Sequence, residues 1–90
     1  MKLFTVLDTK SEHYAHPTSA PSVAAFTRDV GMTLRNPPQQ PSSFHEHPQD
    51  FKLFHVGSFD ETTGLLVPLE QPVYLGTAAE FLPSPVASAA

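Results

Sequence analysis

Four prolines within a dozen residues, Pro37, Pro38, Pro41 and Pro48, cut this chain in two and limit what it can fold into. Proline has no amide hydrogen to donate and clashes with the preceding helical turn. The stretch 36–50 can therefore be neither a helix interior nor a central strand. It is expected to be a loop longer than is usual in a compact domain. Regular structure must come from the segments on either side.

Ahead of the loop, residues 2–8 (Lys2 to Asp8) read as a strand rich in β-branched and aromatic residues. Leu3 and Leu7 point one way, Phe4 and Val6 the other, so this strand needs cover on both faces. Residues 9–18 are polar, contain Tyr14 and Pro17, and read as irregular or weakly extended. A helix is expected at about 21–33. Ser19 or Ser22 can cap it, Pro21 suits its first turn, and Val23, Phe26, Val30 and Leu34 recur at helical spacing. Arg28 and Asp29 lie on its outer side, and Gly31 weakens or ends it.

After the loop, Phe51 to Phe59 reads as a second strand and Asp60-Glu61-Thr62-Thr63-Gly64 as a turn. Leu65 to Leu69 returns as a third, with Pro68 at an unpaired end or edge, and Val73-Tyr74-Leu75 forms a short fourth. The expected fold is α+β: a small antiparallel sheet of three to four strands with one helix packed on one face. A single domain spans 1–76, and 77–90 forms a loosely ordered tail in which Phe81 and Leu82 can dock. One helix covers only one face of strands that are apolar on both. A homodimer or higher symmetric oligomer is the economical way to cover the other.

Leu, Val and Phe make up 23 of the 90 residues, above the roughly 20% typical of disorder, so a modest core is expected. With no cysteine the chain carries no disulfide staples, thiol chemistry or common zinc site, which points to a reducing, intracellular setting. The apolar run at the N-terminus meets Asp8 and Lys10 too early for a signal peptide. Nothing approaches the roughly 20 apolar residues of a membrane span.

Enzymatic signatures do not emerge. Serines and histidines are plentiful, yet there is no nucleophile elbow, no His-Glu-x-x-His and no glycine-rich phosphate loop. His45 and His47 share a face if extended and could bind a metal with a remote ligand; His13 and His16 sit three apart upstream. Solvated histidines in polar segments are the plainer reading, so neither metal nor cofactor is expected.

Charge bears on nucleic acid. The five cations Lys2, Lys10, Arg28, Arg35 and Lys52 face nine carboxylates, for a net charge of −4. If all five met a single strand, the salt slope would reach at most about −3.5. Affinity would then lean on aromatic stacking. Lys2 and Phe4 share one strand face, as do Lys52 and Phe54. Were the two strands neighbours, these pairs would form a basic, aromatic platform; otherwise the phenylalanines are simply core.

Three stretches resemble a known family: Met1-Lys2-Leu3-Phe4-Thr5-Val6-Leu7-Asp8-Thr9-Lys10-Ser11 with Tyr14, His47-Pro48-Gln49-Asp50-Phe51-Lys52-Leu53, and Gly57-Ser58-Phe59-Asp60-Glu61-Thr62-Thr63-Gly64. With Ala25-Phe26 they are similar, in order and spacing, to the small non-structural protein of gokushoviruses, single-stranded DNA phages of the microvirus group. Members typically carry Glu and Tyr where this chain has Gln49 and Phe51, and Arg where it has Ala24. The insert at 36–44 is longer here. The resemblance implies an accessory protein of the infected bacterium's cytoplasm that binds single-stranded DNA during genome synthesis or packaging. Lys2, Lys10, Lys52, Arg28 and Arg35 would then meet phosphates, while Tyr14 and Phe54 stack on bases. The rival reading is an adaptor whose proline-rich 36–48 segment recruits a viral replication or capsid protein, or a host protein.

Overall fold

The structure, a computed structural model, describes residues 1–82. Strands β1 (Lys2–Asp8), β2 (His13–Tyr14) and β3 (Thr18–Ala20) precede helix α1 (Val23–Arg35) and the short helix α2 (Ser43–Glu46). Strands β4 (Phe51–Asp60) and β5 (Leu65–Thr77) follow, and a 3-10 turn at Ala78–Phe81 closes the described chain. All pairings are antiparallel. On one side of β1 lies β4, followed by β5; its other side carries β2 near Asp8 and β3 near Lys2.

Among the described residues the fold is α+β, with five strands rather than three to four and one main helix. The two additional strands, β2 and β3, lie in or overlap the polar 9–18 stretch, where propensity is weak. Pairing with β1 organises them: Leu7 faces Tyr14, and Phe4 faces Thr18. The expected third and fourth strands are a single strand, β5. Between the pairs Gly57–Pro68 and His55–Val73, β4 has only Val56 while β5 has four residues, Leu69 to Pro72. The excess arches out of register and carries Pro72. Among the described residues β5 pairs with nothing on its outer side, so Pro68 and Pro72 are tolerated there. The hairpin closes tightly: a Cβ on Gly57 would stand 2.6 Å from the Val67 carbonyl oxygen.

Helix α1 starts and ends two residues later than expected. Ser22 caps it by accepting from the Ala25 amide at 3.1 Å, so Pro21 precedes the cap. Gly31 lies buried within the helix instead of ending it. What ends it is Pro37, which biases Asn36 to the extended conformation it adopts. The proline-rich segment is also more ordered than a plain loop. Ser42 caps α2, and Pro48–Asp50 forms a 3-10 turn. His45 ties α2 to α1: its Nε2 donates to the Thr33 carbonyl (2.8 Å) and its Nδ1 meets the Ser42 hydroxyl (2.9 Å). Both ring nitrogens are thus engaged, and neither is left to ligate a metal alongside His47.

The core is small. Phe4 and Leu53 are fully buried, joined by Ala20, Phe26, Val30 and Ala78. Phe26 stacks nearly parallel on Phe4, with ring centroids 4.4 Å apart. Burial of Ala78 draws the chain back onto the core after Gly76, and a reciprocal cap between Thr77 and Glu80 fixes the turn. The expected loose tail at 77–90 falls for the most part on 83–90, outside the described residues.

Candidate nucleic-acid interface

Residues paired across antiparallel strands point to the same face. Phe4 pairs with His55 and Val6 with Leu53, on the side where Phe26 packs. Thr5 pairs with Phe54 and Leu7 with Lys52, so these four belong to the opposite face. Tyr14, opposite Leu7, and Tyr74, opposite Phe54, extend that face from β2 and β5.

The result is a row of three aromatic rings. Tyr14 meets Phe54 at 5.9 Å between centroids, and Phe54 meets Tyr74 at 5.7 Å, at interplanar angles of 63° and 55°. The Lys52 ammonium stands 5.9 Å from the Tyr74 centroid, within cation–π range. Half-buried Phe54 sits between two tyrosines that are more than half exposed. Beside the row lies a hollow of about 310 Å³ lined by Thr5, Tyr14, Ala15, Pro17, Val56 and Pro72. The Thr5 hydroxyl donates to the Ala15 carbonyl at 2.7 Å and so holds the chain after β2 against the sheet.

Lys10 stands at the same end of the sheet, in the turn that joins β1 to β2. That turn is fixed by the Asp8 carboxylate, which accepts from the Lys10 amide (2.9 Å) and the Ser11 amide (3.4 Å). These bonds, the Lys10 one foremost, hold the Asp8 carboxyl below its ordinary value. Among the described residues the one ion pair joins the N-terminal amine to Glu61. Neither Lys10 nor Lys52 is therefore held by a carboxylate there.

The seven residues expected to contact DNA thus divide. Tyr14, Phe54 and Lys52 come together, with Lys10 at their end. Lys2 lies at the far end of β1, opposite Ser58. Arg28 and Arg35 are exposed on α1, whose Phe26 and Val30 turn into the core. The two Lys-x-Phe pairs do not form one platform, although β1 and β4 are neighbours. Antiparallel register places Phe4 beside His55 instead of Phe54, and Phe4 is core. Tyr74 was missed by sequence reasoning. Its alternation with Val73 and Leu75 marks a strand residue, but only the pairing with β4 shows which rings it joins.

A second hollow, about 510 Å³, opens between β2 and α2. Val6, Asp8, His13, Tyr14, Ala15, Phe44 and Phe51 line it. Phe44 and Phe51 meet edge to face at 5.1 Å.

No helix among the described residues is long and apolar enough to cross a membrane. Neither a curated protein nor a solved structure matches the chain. The Phage ORF5 protein family matches it over residues 1–81, and the chain belongs to that family.

Proposed function

We propose that this phage protein is a non-enzymatic accessory protein of the gokushovirus type that binds single-stranded DNA in the cytoplasm of the infected bacterium. The observation that carries the reading is the aligned row Tyr14–Phe54–Tyr74 with Lys52 over its last ring. Exposed aromatic faces beside a cation suit unpaired bases, each stacked base contributing about 1–3 kcal/mol. Phosphates would be met mainly by Lys10 and Lys52, so electrostatics contribute little and stacking dominates.

The test is fluorescence anisotropy of a labelled strand of roughly 20 nucleotides at about 20 and 200 mM salt. Two phosphate contacts give a slope near −1.4, so affinity should drop about 25-fold across that range. Tyr74→Ala should lose about 5- to 150-fold, the equivalent of one stacked base. Lys52→Ala should lower the slope by about 0.7. An affinity untouched by Lys52→Ala at low salt would refute this site.

A second reading, a protein-recruiting adaptor, draws on the net charge of −4 and on the hollow walled by Phe44 of the proline-rich segment. Deleting residues 37–44 removes that wall. Loss of partner capture with unchanged DNA affinity would favour the adaptor.

A further inference from the structure

The aromatic row borders a hollow whose walls are almost wholly apolar. Its volume is about 310 Å³, at the lower end of the range for small-molecule sites. Thr5, one of its walls, is the strand partner of Phe54, so the hollow opens on the face that carries the row. Tyr14 belongs to both. The larger hollow of about 510 Å³ is walled by Val6 and Phe51, which lie with Leu53 on the other face. Hydrogen-bonding groups around the smaller hollow are already paired. The Thr5 hydroxyl donates to the Ala15 carbonyl at 2.7 Å, and the Ala15 amide donates to the Val6 carbonyl at 2.8 Å. Pro17 and Pro72 have no amide hydrogen. Beyond the Tyr14 hydroxyl, the wall side chains offer a ligand only the hydrocarbon of Ala15, Pro17, Val56 and Pro72. None of them is charged.

We propose that this hollow seats one base of the bound strand and favours thymine, through contact with the methyl group on its C5 atom. The inference rests on the single-strand reading and names a base preference within it. Continuity with the row is the first argument. Lys52, Phe54 and Val56 alternate along β4, so cation, ring and hollow follow one another on one strand. A strand stacked on Tyr14 therefore has the hollow at the edge of the same ring. Wall chemistry is the second argument. Cytosine, adenine and guanine each carry an exocyclic amine, whereas thymine carries none and presents a methyl group. Burying an amine without an acceptor costs free energy. Burying a methyl against Ala15 and Val56 gains it. A further hollow of about 340 Å³ shares Pro17 and Val56 with the first and adds Leu3 and Leu66. The apolar path thus continues away from the lysines, and base selection is separate from phosphate contact.

The test compares labelled strands of roughly 20 thymidines and roughly 20 deoxyuridines, which differ only in that methyl group. By fluorescence anisotropy at low salt, the thymidine strand should bind about fourfold tighter, as one buried methyl group predicts. Val56→Ala enlarges the hollow and Ala15→Leu fills it; each should bring the ratio close to one with circular dichroism unchanged. Tyr74→Ala, at the far end of the row, should weaken both strands and leave the ratio in place. That variant separates the hollow from stronger stacking of thymine on the rings. Ala15 is exposed, so Ala15→Leu decides if Val56→Ala fails to fold. If neither strand binds, the single-strand reading itself fails, and the base preference with it. Equal binding of the two strands overturns the base preference alone, and leaves an apolar side chain of a partner protein as the occupant. A ratio that survives the hollow variants, or that vanishes with Tyr74→Ala, overturns it equally.

Discussion

Single side chains explain why so thin a core holds. Phe4 is fully buried, stacked on Phe26 and 5.2 Å from the His55 ring, so one residue joins β1, α1 and β4. Phe4→Ala should cost about 3–5 kcal/mol, a large share of what a chain this size has. Urea denaturation would show the loss as a lowered midpoint with little change in slope. Asp60 works at the opposite extreme of exposure. Its carboxylate accepts from the Thr62 and Thr63 amides at 2.9 and 3.2 Å, and those bonds, Thr62 first, hold its pKa below 3.8. A carboxyl depressed in the folded state contributes stability above its unfolded pKa and loses it as pH falls through the folded value. The melting temperature should therefore decline below about pH 4. Asp60→Ala should flatten part of that decline and lower the plateau at neutral pH. A series of melts from pH 2 to 7 measures both effects. The turn itself was legible from Asp60 and Gly64, because such bonds are local and Gly64 takes the positive φ the turn needs.

At the scale of elements, legibility follows the range of the forces involved. α1 was visible as periodicity, and its start narrowed to two serines. Geometry selects Ser22, because a cap must accept from an amide two or three residues on. Ser22→Ala should cost about 1 kcal/mol, whereas Ser19→Ala, in β3, should leave the helix intact; thermal melts of the two variants separate them. The merging of two expected strands into β5 was not legible. Leu69, Glu70, Gln71 and Pro72 resemble a linker, and they remain within a strand because Val73 and Tyr74 find His55 and Phe54 beyond them. β2 and β3 were hidden for the same reason: their hydrogen-bond partner, β1, lies outside their own sequence window.

For the whole molecule, three strands separate in sequence, β2, β4 and β5, bring Tyr14, Phe54 and Tyr74 into one row. The sequence by itself determined the α+β class, the helix, the outer strands of the hairpin and a shortage of cover for apolar strands. Each of these rests on local propensity or on side-chain periodicity, which a few neighbouring residues carry. Tertiary structure alone decided that Phe4 is core while Phe54 faces outward, that Tyr74 completes the row, and that Lys2, Arg28 and Arg35 lie away from it. Register is the physical reason. A one-residue shift turns every side chain of a strand to the other face, and pairing between distant segments sets it.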